Sequence, residues 1–264
     1  MHDAPAQRRT ALVTGASGGI GKGIAQAAAR EGWHLVLTAR TTAGIEAYAD
    51  DWRRRHGIEI VALAQDLSLP GGAQALFEQV QARGLRIDAL VNNAGIGVFG
   101  EFAETDLDAE LGMLRLNIEA PTVLAKHFLP GLLERGGRIL NIASVAAFPP
   151  GPYLAAYYGS KAYLRAWSEG IAEELERRGV AVTVFCPGPV RTRFAERAQA
   201  RRSALFRGAH LPDGDTVGRA AWQACMQGRR LVVHGVAGKL LVFLMRFTPR
   251  RLIARIVRHA SRPA

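Results

Sequence analysis

Two residues capable of acid–base chemistry, Tyr157 and Lys161, stand four positions apart in the segment YYGSK. If this segment is helical, both side chains lie on one face. Free tyrosine is a poor acid at neutral pH because its pKa is about 10, but a neighbouring ammonium favours the phenolate and lowers that pKa. The spacing therefore predicts proton transfer by Tyr157. On such a helix the side chain of Tyr158 would point about 100° away from that of Tyr157. We therefore expect Tyr158 to pack against other side chains or to line the pocket in which Tyr157 acts.

A glycine-rich stretch, TGASGGIG at residues 14–21, is compatible with two unrelated chemistries. As G-x-S-x-G it would expose Ser17 as a nucleophile, whereas between a strand and a helix it would bind phosphate. A nucleophile elbow lies several strands into its sheet, but this stretch follows the first apolar run, and the seven histidines offer no obvious partner. We therefore interpret Ser17 as a phosphate contact, with Gly15, Gly19 and Gly21 permitting the turn and the close approach of backbone to ligand.

Short apolar runs alternate with helical stretches, and these elements must position the reactive residues. The runs are typical of strands buried on both faces, and they cover residues 10–15, 34–39, 58–64, 88–94, 137–144, 180–187 and 229–235. Helical periodicity covers residues 19–32, 44–57, 70–84, 105–136 and 155–179. This alternation predicts an α/β fold with a doubly wound, seven-stranded parallel sheet and helices on both faces. Ser144, at the end of the fifth run, could hold a carbonyl or alkoxide oxygen.

The composition fits a globular protein of 264 residues, with 48% hydrophobic and 22% charged residues. Cys186 and Cys225 have no metal-ligand spacing, so we expect a reduced, cytoplasmic protein without a metal site. The N-terminus has no apolar signal region, and no apolar run is long enough to span a membrane. The absence of linkers and repeats predicts one α/β domain over residues 8–235, with a helical extension over residues 236–264.

The net charge of +11 is concentrated in the C-terminal quarter, where residues 191–264 carry sixteen Lys and Arg against three acidic residues. Anionic lipid, nucleic acid or an acidic substrate could attract such a segment, or the charges could simply be solvated. Few aromatic residues are interleaved with the charges, so we expect no nucleic acid partner. The apolar run 240–244 is too hydrophobic for an exposed helix. We therefore expect the extension to cover the cleft or a second subunit, with peripheral membrane contact secondary.

Further stretches occur in order with the glycine loop and YYGSK: Asp66 after the third run, NNAG at 92–95, Asn117, Ser144 and PGPVRT at 187–192. Together they resemble the short-chain dehydrogenase/reductase family in its single-domain form, over about residues 10–192. The resemblance implies a Rossmann-type fold and an enzyme (EC 1.1.1.-) that interconverts a carbonyl and a secondary alcohol by hydride transfer. It also implies a homodimer or homotetramer acting on a small molecule.

The resemblance also assigns roles to individual residues. The implied catalytic residues are Asn117, Ser144, Tyr157 and Lys161, where Lys161 also holds the nicotinamide ribose and Asn117 anchors a water in the proton relay. The implied cofactor-binding residues are Gly15, Ser17, Gly19, Ile20, Gly21, Arg40, Asp66, Leu67, Asn93, Ala94, Gly95, Tyr157, Lys161, Pro187, Gly188, Val190 and Thr192. We expect the substrate to contact Ser144, Val145, Tyr153 and Phe194. From the residues alone, a strand-end cap for Ser144 and a helix-interior hydrogen bond for Asn117 are the alternatives.

The end of the second strand bears on which nicotinamide cofactor is bound. An acidic residue there would hydrogen-bond the adenosine ribose of NAD, but this chain has Ala39 and Arg40. Arg40 could pair with a 2′-phosphate, which favours NADP(H) over NAD(H). Many NADP-preferring relatives also carry a basic residue within the glycine loop, where this chain has Gly18. We expect an NADPH-dependent reductase of an apolar or acyl-type substrate; a nucleotide-binding scaffold without turnover and an NAD-linked alcohol dehydrogenase are the alternatives.

Overall fold

A seven-stranded parallel sheet forms the centre of the computed structural model, which describes residues 8–192 and 211–262. The strands are β1 Thr10–Thr14, β2 His34–Ala39, β3 Ile60–Ala64, β4 Ala89–Asn92, β5 Arg138–Ile142, β6 Ala181–Cys186 and β7 Leu231–Val233. Their order across the sheet is β3-β2-β1-β4-β5-β6-β7, and every neighbouring pair is parallel. The predicted doubly wound sheet is confirmed, and the order reverses between β1 and β4, where α/β sheets bind ligands.

Helices cover both faces of this sheet. They are α1 Gly19–Arg30, α2 Ala43–His56, α3 Gly72–Gln81, α4 Leu107–Leu114, α5 Ala120–Arg135, α6 Ala155–Glu176, α7 Gly214–Met226, α8 Val236–Met245 and α9 Arg250–Ser261. One buried apolar cluster joins α1, α2 and α7 to one face of the sheet, and a second joins α3, α5 and α6 to the other face. Within the described ranges, none of these helices combines the length and the apolarity that crossing a membrane needs.

The stretch 105–136, predicted as one helix, is divided by a π-helical segment over Arg115–Glu119. The helix begins after Asp106, whose Oδ1 accepts a hydrogen bond of 2.8 Å from the backbone N–H of Ala109. The π-helical segment joins α4 to α5 without interrupting the rod. It carries Asn117, which is 1% exposed.

The helix α7 is absent from the periodicity-based prediction, although it has a clear N-terminal signal. The Oδ1 of Asp213 accepts a hydrogen bond of 2.7 Å from the backbone N–H of Thr216. The helix packs on α1 through glycines, because a Cβ on Gly218 would lie 2.6 Å from the backbone carbon of Gly23. This close contact holds in place α1, which is the helix that follows the glycine loop.

The two helices of the C-terminal extension differ in how they meet the domain. In α9, Ile253 is 7% exposed and Val257 packs against a cluster that contains Tyr157 and Tyr158. In α8 no residue is buried. The expectation that the extension packs on protein therefore holds for α9 within this chain, whereas α8 keeps a broad exposed face.

Candidate active site

A cavity of about 780 Å³ lies at the carboxyl ends of the central strands, at the position predicted from the fold. Its floor is formed by the loops that follow β1, β2, β3, β4, β5 and β6, and α8 and α9 contribute part of its wall. Eighteen of the residues predicted to bind cofactor or substrate, or to act in catalysis, line this cavity. They are Gly15, Ser17, Gly19, Ile20, Arg40, Asp66, Leu67, Asn93, Ala94, Gly95, Ser144, Val145, Tyr157, Lys161, Pro187, Gly188, Val190 and Thr192.

The glycine loop presents bare backbone to the cavity at the N-terminus of α1. Gly15 has φ +68°, and a Cβ there would lie 2.9 Å from Nδ2 of Asn93 and 3.0 Å from Cα of Ala94. Gly19, the first residue of α1, has φ +57°. Both positions favour glycine, and the N-terminus of α1 lines the cavity at Gly19 and Ile20, as an anion-binding site requires.

Thr14 and Asn93 tie the glycine loop to the loop that follows β4. The hydroxyl of Thr14 accepts hydrogen bonds of 3.0 Å from the backbone N–H groups of Asn93 and Ala94. In return, Nδ2 of Asn93 donates to the carbonyl oxygen of Thr14 at 2.8 Å. Thr14 thus positions two loops of the cavity. The sequence analysis assigned it no role, although it begins the TGASGGIG motif.

Gly21 was expected to contact the cofactor, but it does not line the cavity. A Cβ at this position would lie 2.5 Å from the carbonyl oxygen of Gly15 and 2.4 Å from Nδ2 of Asn93. Gly21 therefore allows α1 to pack against the loop beneath the cavity. Gly21 lies two residues inside α1 and is buried there, and its contact with the cofactor stays a prediction.

Tyr157, Ser144 and Lys161 meet on the opposite side of the cavity from the glycine loop's helix. The hydroxyl of Tyr157 shares a hydrogen bond with the side chain of Ser144. Nζ of Lys161 lies 5.9 Å from the centroid of the Tyr157 ring and donates a hydrogen bond of 2.9 Å to the carbonyl oxygen of Ile142. The helix α6 carries Tyr157 and Lys161 on one face, as the spacing predicted, while the end of β5 brings in Ser144.

The electrostatics of this group differ in one respect from the sequence expectation. The pKa of Tyr157 is raised above its ordinary value because burial disfavours the phenolate, and the bond to Ser144 acts in the opposite direction. The pKa of Lys161 is lowered to about 8, also by burial. The predicted lowering of the Tyr157 pKa is therefore wrong for the geometry described, since burial of the phenol raises this pKa.

Ser144 also has a structural role, which was the alternative prediction for this residue. Its Oγ accepts a hydrogen bond of 3.1 Å from the backbone N–H of Ala146 and caps a short 3₁₀ turn over Val145–Ala147. The same oxygen meets Tyr157, so the cap fixes the hydroxyl where it faces the cavity. Ser144 can therefore cap the 3₁₀ turn and contact Tyr157 at the same time.

Asn117 lies beside the cavity but does not line it. Its Nδ2 donates to the carbonyl oxygen of Ile96 at 2.9 Å and to Oγ of Ser160 at 3.0 Å, and its Oδ1 accepts from the N–H of Ile96 at 3.1 Å. Both amide hydrogens are thus occupied within the protein, which matches the structural alternative. The Oδ1 atom would lie 3.2 Å from a Cβ added to Gly95, as would Nζ of Lys161. The water-anchoring role of Asn117 stays a prediction.

The far end of the cavity contains Arg40 and Asp66. Arg40 is exposed on the loop after β2, and among the described residues its guanidinium has neither a hydrogen bond nor an ion pair. Oδ1 of Asp66 accepts hydrogen bonds from the N–H and the hydroxyl of Ser68 at 2.9 Å and 2.6 Å. Arg40 therefore offers a free cation at the rim, while Asp66 holds the loop that follows β3.

Tyr153, which was also predicted to contact the substrate, is not among the described residues that line the cavity. Tyr153 has φ +67°, which turns its side chain toward Phe99 and into a hydrogen bond with Arg258. The contact of Tyr153 with the substrate stays a prediction. Phe194 lies outside the described residues.

An apolar wall that the sequence analysis did not resolve residue by residue closes one side of the cavity. It comes from the loop after β5, from α6 and from the C-terminal extension: Ala146, Pro149, Leu154, Tyr158, Leu241, Met245, Ile256, Val257 and Ala260. Tyr158 lines the pocket, as expected from its offset of one residue from Tyr157. Periodicity showed that α8 and α9 are amphipathic, but only the tertiary structure shows which of their residues face the cleft.

Comparison with known proteins places this arrangement in a family. The family described as short chain dehydrogenase matches residues 9–203. A ketoacyl reductase, HetN, from a Nostoc species is 36% identical over 183 residues, which cover 69% of this chain and 63% of that protein. A very-long-chain 3-oxoacyl-CoA reductase from Pyrenophora tritici-repentis is 36% identical over 177 residues, covering 65% of this chain and 52% of that protein. The match thus spans between half and two thirds of the length of these relatives.

A solved structure shares the whole architecture. The short-chain dehydrogenase from Sphingobium yanoikuyae in complex with NADPH superposes with a TM-score of 0.80 at 30% sequence identity, covering 90% of this chain and 93% of that chain. The family match covers the glycine loop, Ser144, Tyr157 and Lys161 in the order that their spacing predicted. The chain belongs to the short chain dehydrogenase family of oxidoreductases.

Proposed function

We propose that this protein is an NADPH-dependent reductase that converts a carbonyl group into a secondary alcohol and catalyses the reverse oxidation. The observation that carries the proposal is the grouping of Tyr157, Ser144 and Lys161 in a cavity that the glycine loop also lines. A protein that only bound a nucleotide would need the glycine loop but not these three side chains. A buried tyrosine, a buried lysine and a half-buried serine that line the same cavity are the groups that a carbonyl reduction requires.

The cavity fits a dinucleotide with a 2′-phosphate. The bare backbone at Gly15 and Gly19, with the N-terminus of α1, would hold the pyrophosphate. Arg40 would pair with the 2′-phosphate, because its guanidinium has no competing partner among the described residues and no acidic residue occupies the end of β2. Asp66, Asn93 and the loop over 187–192 would line the remaining length. Two of the similar solved structures are complexes with NADPH and with 5-hydroxy-NADP, which supports the same choice.

The bound cofactor supplies the hydride that adds to the carbonyl carbon of the substrate. Ser144 would hold the carbonyl oxygen by a hydrogen bond, and Tyr157 would donate its phenolic proton to that oxygen as the alcohol forms. Lys161, held by Ile142, places a positive charge near the phenolate that Tyr157 becomes. Burial raises the pKa of Tyr157, so the phenol is protonated at neutral pH, and the ammonium of Lys161 would favour release of that proton to the substrate oxygen.

The substrate is proposed to have an apolar or acyl-type body. Val145, Leu154, Leu241, Met245 and Ile256 give the cavity a wall without charged groups beside the reactive tyrosine. The names of the relatives, a ketoacyl reductase and a very-long-chain 3-oxoacyl-CoA reductase, support this class.

We further propose that residues 8–235 form the catalytic domain and that residues 236–264 extend it. The supporting observation is that α8 and α9 complete the cavity wall instead of forming a core of their own. The homodimer or homotetramer and the cytoplasmic location stay predictions of the sequence.

A substrate panel tests the proposed reaction. The purified protein is mixed with NADPH or NADH and with 3-oxoacyl thioesters, apolar ketones or short polar carbonyl compounds, and the loss of nicotinamide absorbance is followed. We expect oxidation of NADPH with the acyl and apolar substrates. Binding of NADPH without turnover of any carbonyl compound would instead support the scaffold, and faster turnover with NADH would favour an NAD-linked dehydrogenase.

A further inference from the structure

The outward face of α8 carries a row of large apolar side chains. Val236, Leu240, Phe243, Leu244 and Phe247 are between 51% and 84% exposed. Their spacing of four, seven, eight and eleven residues from the first places them on one side of the helix and its final turn. The other side meets the domain, since Leu241 and Met245 line the cavity. The exposed row is therefore a continuous surface of the helix.

The following helix, α9, extends this surface. Leu252 is 47% exposed, whereas Ile253 and Val257 face the domain and Ile256 lines the cavity. We call the exposed set the tail patch: Val236, Leu240, Phe243, Leu244, Phe247 and Leu252. Soluble monomers rarely expose this many large apolar side chains within two consecutive helices, so the patch needs a partner.

The charges around the tail patch have one sign. Residues 236–262 contain no Asp or Glu, and their basic residues are all exposed: Lys239, Arg246, Arg250, Arg251, Arg255, Arg258 and Arg262. Four of these arginines, at positions 251, 255, 258 and 262, share one face of α9 by their spacing. Glu101, on a neighbouring loop, contributes an opposing charge near Arg258. The two helices themselves carry only positive charge, and an anionic partner complements them.

We propose that the tail patch docks on the surface of an anionic lipid bilayer. Leucine and phenylalanine side chains would enter the boundary between headgroups and acyl chains, and the arginines would contact lipid phosphates. A second copy of this chain fits less well, because a two-fold contact would bring two arginine-rich faces together. One short apolar helix alone is expected to bind a membrane weakly. Each basic residue near an anionic surface adds to the affinity, so the arginines would strengthen this binding.

Docking in this way sets the cavity at the lipid surface. Leu241 and Met245 of α8 and Val257 of α9 line the cavity from the inner sides of the helices that carry the tail patch. An apolar substrate dissolved in the bilayer would then meet the cavity mouth directly. This consequence rests on the proposed reductase activity, whereas the docking itself is tested by binding alone.

The test is co-sedimentation of the full chain with vesicles. One set contains equal parts of phosphatidylcholine and phosphatidylglycerol, and the other contains phosphatidylcholine only. We expect the protein to pellet with the anionic vesicles and to be released by salt. Arg250→Gln with Arg251→Gln is expected to weaken binding roughly 10- to 30-fold. The matched control, Arg177→Gln with Arg178→Gln, removes two exposed arginines at the end of α6 and is expected to leave vesicle binding unchanged.

Variants of Phe247 separate insertion of the patch from charge attraction alone. Phe247→Asp places an acid on the patch and is expected to abolish pelleting, whereas Phe247→Leu keeps an apolar side chain and is expected to retain it. Circular dichroism checks that both variants are folded, and light scattering without vesicles reports their mass. The proposal is overturned if neutral vesicles bind equally well, if the Arg177/Arg178 control loses as much affinity, or if no vesicle binds and Phe247→Asp instead dissociates an oligomer.

Discussion

Lys161 donates a hydrogen bond of 2.9 Å from Nζ to the carbonyl oxygen of Ile142, the last residue of β5. This bond anchors the ammonium of α6 at the strand end that leads into Ser144. Lys161 is only 4% exposed, and burial lowers its pKa from 10.5 to about 8. A lysine with such a pKa changes charge within the range in which protein stability can be measured.

The first prediction concerns stability and pH. Between about pH 8 and pH 10.5, the unfolded chain binds a proton at Lys161 that the folded protein has released, so this group's contribution to stability rises with pH. We therefore expect the free energy of unfolding of the wild type, minus that of Lys161→Met, to increase across this window in urea titrations. Taking the difference removes the opposite trend from groups such as Cys225, whose pKa burial raises to about 12. A flat difference would show that Lys161 keeps its ordinary pKa.

A second prediction tests the proton donor. Tyr157→Phe removes the phenolic hydroxyl but keeps the ring, so NADPH binding is expected to persist while turnover falls by roughly 10²- to 10⁴-fold. Nicotinamide fluorescence measures binding, and steady-state kinetics measure kcat. Tyr158→Phe is the matched control, because it removes the neighbouring hydroxyl from the same cavity wall. We expect a much smaller loss; equal losses in both variants would remove Tyr157 from its assigned role.

The third prediction concerns cofactor choice. Arg40→Ala is expected to weaken NADPH binding by roughly 1.5–3 kcal/mol, the scale of a hydrogen bond to a charged group, with little effect on NADH. Titration calorimetry with both cofactors measures the difference. Arg54→Ala, which removes an exposed arginine from α2, is the control for a general change in surface charge. Equal losses for NADPH and NADH in Arg40→Ala would assign the arginine a different role.

The fourth prediction concerns two glycines of the glycine loop, Gly15 and Gly18. Gly15→Ala places a Cβ within 3.0 Å of the loop after β4 at a positive φ, at a cost of roughly 1–2 kcal/mol for the backbone alone. At Gly18, φ is 171° and no atom lies within 4 Å of an added Cβ. We therefore expect Gly15→Ala to lower both thermal stability and NADPH affinity, and Gly18→Ala to change neither by much. Equal effects of Gly15→Ala and Gly18→Ala would show that the loop accommodates a side chain at either position.

Local sequence patterns were sufficient to predict the strands and most of the helices. Buried parallel strands are short apolar runs, and each run closed by Gly, Asn or Pro was found in the sheet. The helix α7 was missed because its Gly-rich start, GDTVG, does not resemble a strong helix former, although Asp213 supplies a cap. Its glycines serve contact with α1, and a tertiary contact of this kind leaves no periodic pattern.

The site was predictable where a side chain's role follows from its neighbours in the sequence. Tyr157 and Lys161 are four apart on one helix, so their common face follows from the spacing alone. The positions of Gly21, Tyr153 and the lining residues of α8 and α9 depend on contacts between segments far apart in the chain. Likewise, the raised pKa of Tyr157 depends on burial in three dimensions, so residue types alone suggested the opposite direction.

The π-helical segment over Arg115–Glu119 gives one continuous rod two apolar faces that are out of phase. Before it, Met113 packs in the cluster with Tyr157; after it, Leu124 and Phe128 pack against the sheet. Deleting one residue from this segment would restore regular winding and turn one half of the rod by about 100° relative to the other. Either the packing of Met113 beside Tyr157 or the packing of Leu124 and Phe128 on the sheet would then be lost. The number of residues in this segment is therefore constrained more tightly than the identity of most of them.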